Sequence, residues 1–530
     1  MCPAVLARDK HAFMEERIYM AMGKNLTTPI GEFTSQMDQV HGKAVEAYLG
    51  IPYAKAETFG LPEPVDIYPE KPANTGYGVR FPQRDVPPLI NRFLKMPMMR
   101  PEILTNADRT SDDAFVLNIW TCGTEEKKPV LVFMHGGGFT YGSGTTPLYN
   151  GRYLAAKGIV VVTVNYRLGI SGYMPVVKAD GTFSANRGFY DQQCALRWVR
   201  KHIALFGGDE NNITLMGQSA GALSAFTQML SIESPQYFDK LIVCSAGEPK
   251  CMTKERTLAI WEDFKKKNHI SSAEQLMALS GKKLLKYVMP LEVISSPVLD
   301  SVLLKEDTGS AMEEGRFPIK PVLVGSTGDE MKMVDNKSWY KKMGIAMNEA
   351  DYQKKCETVY GEAGMRLAEA IRPSAKDLPD LQFKMIEVPM FHASVLKALE
   401  QFGKKTNAFG YRMNYVPGFW KGIRGAYHCA ELPLFFGTIR DIPDIQKESV
   451  EINLRHSEIL QNDWIGFMKT GALPGAESFG TFETIRIYEG TGCRDLPFPQ
   501  REEIRAAYGS DLFDRLQKDF MRARNQSFVA

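Results

Sequence analysis

Continuous apolar runs predict strands that are buried on both faces of a sheet. Val130–Met134, Ile159–Val164 and Ile213–Met216 consist almost wholly of apolar and β-branched residues. Such runs are typical of parallel strands covered by helices on both sides, whereas a half-exposed strand alternates apolar and polar residues. Further strands are predicted at Leu26–Thr34, Phe115–Trp120, Leu241–Cys244, Pro321–Gly325 and Ala408–Met413.

Helical patterns fall between these strands. In residues 189–206 apolar side chains recur at helical spacing, and two glycines end the pattern. Residues 252–315 and 337–403 have helical patterns with one charged face, and we expect them to form cap insertions over the site. Strands that alternate with helices indicate an α/β fold with a mostly parallel central sheet and helices on both faces.

The chain is predicted to form one large domain over residues 25–530, preceded by an N-terminal extension at residues 1–24. Residues 59–100 are rich in proline and glycine and are predicted to be loops. Of the 530 residues, 44% are hydrophobic and 24% are charged, which is ample material for a large core.

Charge and terminal sequence bear on partners and compartment. The net charge of +2 gives no electrostatic basis for binding nucleic acid or an anionic membrane. No apolar run approaches the roughly 18 residues that cross a bilayer, and the apolar N-terminal stretch is too short for a secretory signal. We therefore expect a cytoplasmic protein.

The eight cysteines are scattered along the chain, and free thiols are the favoured interpretation. A small disulfide loop between Cys244 and Cys251 is the less favoured alternative. No group of histidines and cysteines has the spacing of a metal site, so neither a metal nor a cofactor is expected.

The strand that ends at Met216 continues as Gly217-Gln218-Ser219-Ala220-Gly221, which has the Gly-x-Ser-x-Gly form of a nucleophile elbow. In such an elbow a serine stands on a tight strand-to-helix turn with its hydroxyl exposed. Its two glycines leave room for the strand and the helix to approach closely. Ser219 is therefore the candidate nucleophile, and a serine in an ordinary glycine-rich loop is the alternative.

A serine hydroxyl needs a base within hydrogen-bonding reach, and the base needs an acid that orients it. In the α/β-hydrolase order, the acid and then the histidine follow the serine. Of the histidines beyond Ser219, His428 lies on a loop after a predicted strand, where a general base belongs. The loop after Pro321–Gly325 carries Asp329 and Glu330, and this reasoning leaves the choice between the two carboxylates open.

The oxyanion that forms on attack needs fixed N–H donors. A triple glycine at 136–138 follows a buried strand and His135. Glycine lets the backbone curl closely around a substrate oxygen, so this loop is a candidate donor. The amide of Ala220, next to the nucleophile, is a further candidate.

Taken together, these stretches resemble the type-B carboxylesterase family, which includes cholinesterases and bacterial para-nitrobenzyl esterases. The likeness extends from about residue 25 to residue 520, and it implies an α/β-hydrolase fold. Its specific stretches are Tyr48–Tyr53, Asp112–Trp120, His135–Phe139, Asn165–Gly169, Asp191–Gly208, the elbow, Asp329-Glu330 and Gly425–Pro433.

The resemblance implies a catalytic triad of Ser219, Glu330 and His428, and it selects Glu330 over Asp329 as the acid. It also implies the oxyanion donors, which are the amides of Gly137, Gly138 and Ala220.

Three departures from the family bear on compartment and substrate. Secreted relatives carry a disulfide-forming cysteine where this chain has Ala114. The absence of that cysteine agrees with a reducing compartment. Most relatives have a glutamate before the nucleophile, which helps cholinesterases to hold a cationic substrate, and here that residue is Gln218. Residues 59–100 contain no tryptophan, although a choline-binding ring is expected there. We therefore expect neutral or anionic esters in preference to choline esters.

The predicted function is a serine carboxylesterase of broad range that acts on small-molecule esters through an acyl-enzyme intermediate. The same site acting on amides, carbamates or thioesters is an alternative, and a non-catalytic binding protein of the same fold is a less favoured one. The oligomeric state stays open.

Aromatic residues near the motifs are predicted either to line the approach to the serine or to belong to the core: Tyr141, Tyr415, Phe419 and Trp420.

Overall fold

The computed structural model describes most of the chain. The described residues are 21–71, 76–84, 109–248, 250–290, 293, 296–332, 340, 344–418, 425–441, 449–508, 510–513, 515–516 and 519. Most of the predicted N-terminal extension, the aromatic residues Phe419 and Trp420, and much of the predicted loop region at 59–100 lie outside them.

A twelve-stranded sheet forms the centre of the described structure. Its strands are β1 (Ala21–Thr28), β2 (Gly31–Val40), β3 (Lys43–Pro52), β4 (Val116–Thr121), β5 (Lys128–Met134), β6 (Val160–Val164), β7 (Gly208–Gln218), β8 (Lys240–Cys244), β9 (Val322–Thr327), β10 (Ala408–Met413), β11 (Thr484–Glu489) and β12 (Gly492–Pro497).

The strands lie in the order β1-β2-β3-β4-β6-β5-β7-β8-β9-β10-β11-β12. From β6 to β11 every neighbouring pair is parallel, whereas the pairs at both edges are antiparallel. The prediction of a mostly parallel central sheet is confirmed. Short two-residue ribbons, Ala54–Lys55 with Glu63–Pro64 and Val176–Val177 with Phe183–Ser184, lie outside this sheet.

Helices connect and cover these strands. They are α1 (Arg152–Ala156), α2 (Gly169–Tyr173), α3 (Arg187–His202), α4 (Ala220–Leu230), α5 (Lys254–Asn268), α6 (Ala273–Met277), α7 (Gly281–Leu284), α8 (Thr308–Glu313), α9 (Glu349–Lys355), α10 (Gly361–Ile371), α11 (Leu378–Glu387), α12 (Ala393–Gly403), α13 (Glu431–Phe436), α14 (Val450–Thr470), α15 (Phe479–Phe482) and α16 (Arg501–Tyr508). Where the structure describes the chain, each helix is either too short or too polar to span a bilayer.

Two apolar cores lie on opposite faces of the sheet, and β5 contributes to both. Val130, Val132 and Met134 belong to one core, while Leu131 and Phe133 belong to the other. Because successive side chains of a strand point to opposite faces, a continuous apolar run is what a strand between two cores requires.

A buried ion pair ties the first half of the sheet to α3. The guanidinium of Arg167, just after β6, donates to both oxygens of Asp191 at 2.6 and 2.9 Å, and both side chains are almost fully buried. Arg167 also donates to the carbonyl of Gly60 at 2.6 Å. Arg167 and Asp191, which belong to the stretches that resemble the family, therefore have a structural role.

Some predicted elements differ from the structure. Strand β1 begins at Ala21, so the last four residues of the predicted extension at 1–24 lie in a strand, in which Ala21 and Met22 pair with β2. The predicted strand Leu26–Thr34 is instead a hairpin, because the chain turns at residues 29–30 between β1 and β2. Strands β11 and β12 were not predicted, although residues 484–497 form a simple antiparallel hairpin.

The described cysteines are free. Cys244 is buried in β8, and the Sγ of Cys251 lies 3.4 Å from the hydroxyl of Thr308. The disulfide alternative for Cys244 and Cys251 is therefore wrong.

Candidate active site

Ser219 lies at the turn between β7 and α4, at the carboxyl edge of the parallel strands. Its backbone has φ +57° and ψ −122°, a region that residues with a side chain rarely occupy. The turn is fixed on both sides, since the Ser219 N–H donates to the carbonyl of Cys244 at 2.9 Å and its carbonyl accepts from Leu223. A strained backbone held this firmly presents the hydroxyl above the sheet.

The two glycines of the elbow have a steric role. A Cβ on Gly217 would lie 1.9 Å from the carbonyl oxygen of Gly221. A Cβ on Gly221 would lie 2.0 Å from the carbonyl oxygen of Met134 at the end of β5. Any side chain at either position would push α4 away from the sheet and move Ser219.

The loops after β9 and β10 bring Glu330 and His428 together. The Nδ1 of His428 lies 2.5 Å from the Oε2 of Glu330, whose side chain is fully buried. The other carboxylate oxygen of Glu330 accepts the N–H of Thr327 at 2.8 Å. The carboxylate therefore fixes the orientation of the imidazole.

Asp329 does not contact the imidazole and instead joins the two loops. Its N–H donates to the carbonyl of Ala426, and its carboxylate accepts the N–H of Ala426, each at 3.0 Å. The N–H of His428 also donates to the backbone carbonyl of Glu330, which adds a further hydrogen bond between the two loops. Asp329 therefore holds the histidine loop against the acid loop.

Two partly buried lysines balance the charge of Asp329. The Nζ of Lys332 lies 2.6 Å from the Oδ1 of Asp329 and 2.6 Å from the Oδ1 of Asp380. The Nζ of Lys384 lies 3.2 Å from the Oδ1 of Asp329. Burial raises the pKa of the Asp329 carboxyl, but the two ammonium groups outweigh it and hold that pKa below its usual value.

A further carboxyl group supports the same loop from α11. Glu387 accepts the N–H of Met331 at 2.7 Å, and its second oxygen has no hydrogen-bond partner among the described residues. Burial, above all, raises the pKa of Glu387 to about 8, so this group is mainly protonated at neutral pH.

The triple glycine forms a tight loop beside the elbow. Gly137 and Gly138 have φ values of +117° and +57°, which favour glycine. A Cβ on Gly136 would lie 3.1 Å from the Cβ of Ser219, so the loop packs directly on the nucleophile. Among the described residues, no partner accepts the amides of Gly137, Gly138 or Ala220. The N–H of Ala220 lies at the positive end of α4.

Two neutral side chains brace this loop. Gln83 donates to the carbonyl of Gly142 and accepts its N–H, both at 2.9 Å. The carboxamide oxygen of Asn165 accepts the N–H of Gly144 at 2.8 Å and the hydroxyl of Ser143 at 3.0 Å. Sequence reasoning did not single out Gln83, because an isolated glutamine in a predicted loop carries no signal.

His135, which precedes the triple glycine, is a buried structural residue. Its ring stacks on Tyr166 with centroids 4.3 Å apart, and its Nδ1 lies 2.8 Å from the carbonyl of Gly136. Burial lowers the pKa of His135 to about 4, so the ring is neutral.

The residue before the nucleophile contacts the candidate base. The Nε2 of Gln218 lies 3.1 Å from the Nε2 of His428. The hydroxyl of Ser219 makes no hydrogen bond with any described residue. The nitrogen that would accept the serine proton therefore faces an amide in this structure.

Charge around His428 favours its protonated form. Burial lowers the pKa of His428, but Glu330 and then Glu431 outweigh it, and the net pKa lies above the ordinary value of 6.5. Burial and the charge of Glu330 raise the pKa of the Glu431 carboxyl to about 7.

The predicted aromatic residues divide between site and core. Tyr141 is partly exposed beside the glycine loop, and its N–H donates to Gly137. Tyr415 is a core residue, since its hydroxyl donates to Asn453 at 2.6 Å and its ring stacks on His456. Phe391 was not predicted, yet its partly exposed ring lies 5.3 Å from that of His428.

The arrangement has the parts that acyl transfer needs. A hydroxyl on a strained turn lies beside free backbone donors, and a histidine oriented by a buried carboxylate lies on the adjacent loop. A carbonyl carbon at the hydroxyl could be attacked while its oxygen is bound by the amides of Gly137, Gly138 and Ala220.

Comparison with known proteins agrees with this chemistry. Residues 23–480 match the model of the carboxylesterase family. The chain is 29% identical over 459 residues to para-nitrobenzyl esterase from Bacillus subtilis, covering 83% of this chain and 89% of that protein. It is 28% identical to fumonisin B1 esterase from Sphingopyxis macrogoltabida, covering 74% and 72%. The solved structure of a Geobacillus stearothermophilus carboxylesterase superposes with a TM-score of 0.74 at 25% identity, covering 91% of this chain and 99% of that one.

Proposed function

Because this chain belongs to the carboxylesterase family and is a carboxylic ester hydrolase with the α/β-hydrolase fold, we propose that it works through a Ser219–His428–Glu330 triad. The observation that carries the proposal is the 2.5 Å contact between His428 and Glu330 on loops adjacent to the positive-φ Ser219. Members of the fold that only bind partners have no need of a carboxylate-oriented histidine beside a serine elbow.

In the proposed reaction, the neutral Nε2 of His428 takes the proton of the Ser219 hydroxyl as its oxygen attacks the ester carbonyl. Glu330 stabilises the imidazolium. The oxyanion binds to the amides of Gly137, Gly138 and Ala220, and the imidazolium then protonates the departing alcohol.

Water resolves the acyl-enzyme by the reverse sequence. His428 deprotonates the water as it attacks the acyl carbonyl, and the proton returns to Ser219 when the carboxylic acid leaves.

We propose neutral esters as the preferred substrates over cationic choline esters. The side chain next to the nucleophile is the neutral amide of Gln218, which offers a cationic group no fixed negative partner. Butyrylcholine and 3,3-dimethylbutyl butyrate differ mainly in charge at one atom, so the ratio of their kcat/KM values isolates this effect. A higher kcat/KM for butyrylcholine would contradict the substrate proposal and leave the triad untouched.

The triad is tested with Ser219→Ala and a labelled organophosphonate. Loss of the nucleophile typically lowers kcat by several orders of magnitude, so neither hydrolysis of para-nitrophenyl butyrate nor labelling should be detectable. Ser301→Ala is the matched control, because Ser301 also has a positive φ, of +59°, but is exposed. Labelling of the Ser219→Ala protein at the wild-type rate would reject the nucleophile assignment.

A further inference from the structure

We propose that Gln218 is a positioning residue that caps the proton-accepting nitrogen of His428 and favours the neutral imidazole before substrate binds. The inference rests on the proposed function, since it concerns the same base.

The hydrogen-bond geometry fixes the roles of the two ring nitrogens. Because the Nδ1 of His428 faces the carboxylate of Glu330 at 2.5 Å, the ring proton belongs on Nδ1 when the ring is neutral. Its Nε2 then carries a lone pair and accepts the amide N–H of Gln218 at 3.1 Å. In the protonated ring both groups would be donors, so this contact stabilises the neutral form.

The carboxamide of Gln218 is also confined on the side that faces away from His428. Gln218 is almost fully buried at the end of β7, and a Cβ on Gly136 would lie 2.9 Å from its Oε1. The side chain is therefore held between the oxyanion loop and the base.

The carboxylates around His428 favour its protonated form, which is opposite to the effect of Gln218. Glu330 and Glu431 both favour the charged imidazole. The thiol of Cys429, next to the ring, stays neutral because burial raises its pKa far above the usual range. Phe391, which packs on the ring from the segment after α11, carries no charge. Gln218 thus counters two carboxylates with a neutral hydrogen bond.

Behind the two carboxylates lie the buried guanidinium of Arg412, whose charge interacts with that of Glu330, and groups that are neutral or paired. The phenol of Tyr411 donates to Glu431, and burial keeps it protonated. On the Glu330 side, Asp329 is paired with Lys332 and Lys384.

The contact has a consequence for the first step of the reaction. For proton transfer, the Ser219 hydroxyl must take the place of the Gln218 amide on the Nε2 of His428. The hydrogen bond from the amide breaks and one from the hydroxyl forms, and no covalent step is added. Gln218 therefore favours the neutral base until the serine displaces it.

The test compares Gln218→Met, which removes the donor at similar size, with Gln218→Glu, which adds a third carboxylate. We expect the acidic limb of the kcat/KM profile for para-nitrophenyl butyrate to move upward by about 0.5 pH unit in Gln218→Met and by about 1 unit or more in Gln218→Glu. One unit corresponds to a rate about tenfold lower well below the midpoint. Gln228→Met is the control, because Gln228 is buried in α4 and bonds to Phe189, away from the base.

A direct titration separates this inference from the proposed function. The 13Cε1 signal of His428 in histidine-labelled protein, assigned by its loss in His428→Gln, reports ring protonation whether or not the protein hydrolyses an ester. Upward shifts of its midpoint in both variants, with none in Gln228→Met, would support the inference. Midpoints equal to that of the wild type would overturn it. An unlabelled, inactive wild type would reject the proposed function, and the titration would still decide the role of Gln218.

Discussion

On the oxyanion side of Ser219 the chain is held by neutral hydrogen bonds, whereas on the histidine side it is held by buried charges. The oxyanion side, residues 136–145, is braced by the amides of Gln83 and Asn165. The histidine side comprises residues 326–332 and 425–431, and its braces are the ion pairs of Asp329 and the protonated carboxyl of Glu387.

The chemistry of each side explains the difference. In the proposed mechanism the oxyanion side binds a negative oxygen with backbone dipoles, and a fixed carboxylate there would oppose the charge that develops. In the same mechanism the histidine side stabilises an imidazolium, which agrees with the carboxylates concentrated there. Their mutual repulsion is offset by the two lysines, Lys332 and Lys384. We therefore expect substitutions on the histidine side to be sensitive to pH and those on the oxyanion side to be insensitive.

The largest effect is expected for Glu330→Gln. An amide can donate to Nδ1 and so hold the wrong tautomer of His428, and the loss of charge removes stabilisation of the imidazolium. Comparable changes in a serine triad lower kcat by about 10⁴, and we expect a decrease of at least about 10³ for para-nitrophenyl butyrate. A variant that stays within about tenfold of the wild-type kcat would show that Glu330 is not the orienting acid.

Asp329→Asn should affect stability more than catalysis. The asparagine can still accept the N–H of Ala426, but Lys332 and Lys384 lose a buried anion. Removing one partner of a fully buried ion pair costs about 3 kcal/mol, and we expect a smaller loss in the free energy of unfolding in urea at pH 7, because Asp329 is partly exposed and Lys332 keeps Asp380 as a partner. We expect kcat to decrease by less than about tenfold, since the triad contact is retained.

The pH dependence of this loss has a definite sign. The folded pKa of Asp329 lies below its unfolded value, so its stabilisation is complete above the unfolded pKa and is lost as pH falls through the folded pKa. The difference from wild type should thus be largest at neutral pH and should shrink as the pH falls below the ordinary aspartate value of 3.8. Adding Lys384→Met should recover part of the stability at pH 7, and no recovery would contradict the role of the ion pair.

Sequence patterns sufficed for the buried strands and the elbow because both are local. The run at Val130–Met134 and the glycines beside Ser219 determine strand and turn within a few residues. The Lys384–Asp329 ion pair, the carboxyl brace of Glu387 and the contacts of Gln83 could not be predicted, since each joins segments that are distant in sequence and no local pattern records it. Strand β11 alternates apolar and polar residues, and its pattern with the Gly490 turn could have been recognised.

The choice between the two neighbouring carboxylates shows the same limit. Both Asp329 and Glu330 fit the residue type that a triad needs, and only the resemblance to a family separated them. In the structure the backbone directs Glu330 toward His428 and Asp329 toward Ala426. That direction is set by the loop after β9, whose path depends on contacts with α11 rather than on local sequence.

Gln83→Leu should reduce activity moderately and without a change in pH dependence. Its loss leaves the N–H and the carbonyl of Gly142 without their partner, and the glycine loop gains freedom next to Ser219. We expect kcat to decrease by about tenfold, which is smaller than the loss of a whole oxyanion donor. A displaced acidic limb of the pH profile would show that the two sides of the site are not independent.

The smallest effect on catalysis is expected for Glu387→Gln, which should instead change the pH dependence of the free energy of unfolding. The carboxyl has a folded pKa of about 8 against an ordinary value of 4.5, so between these values it is protonated when folded and ionised when unfolded. The unfolded state then binds fewer protons, and the stability of the wild type falls as pH rises through this window. The glutamine cannot ionise but can still accept the N–H of Met331, so the variant should gain on the order of 3 kcal/mol relative to wild type between pH 5 and pH 8. Urea unfolding at both pH values measures this gain, with Glu369→Gln on the exposed face of α10 as the control. Parallel pH dependences in wild type and Glu387→Gln would mean that this carboxyl is not protonated in the folded protein, and the histidine side would then owe its pH sensitivity to Asp329 alone.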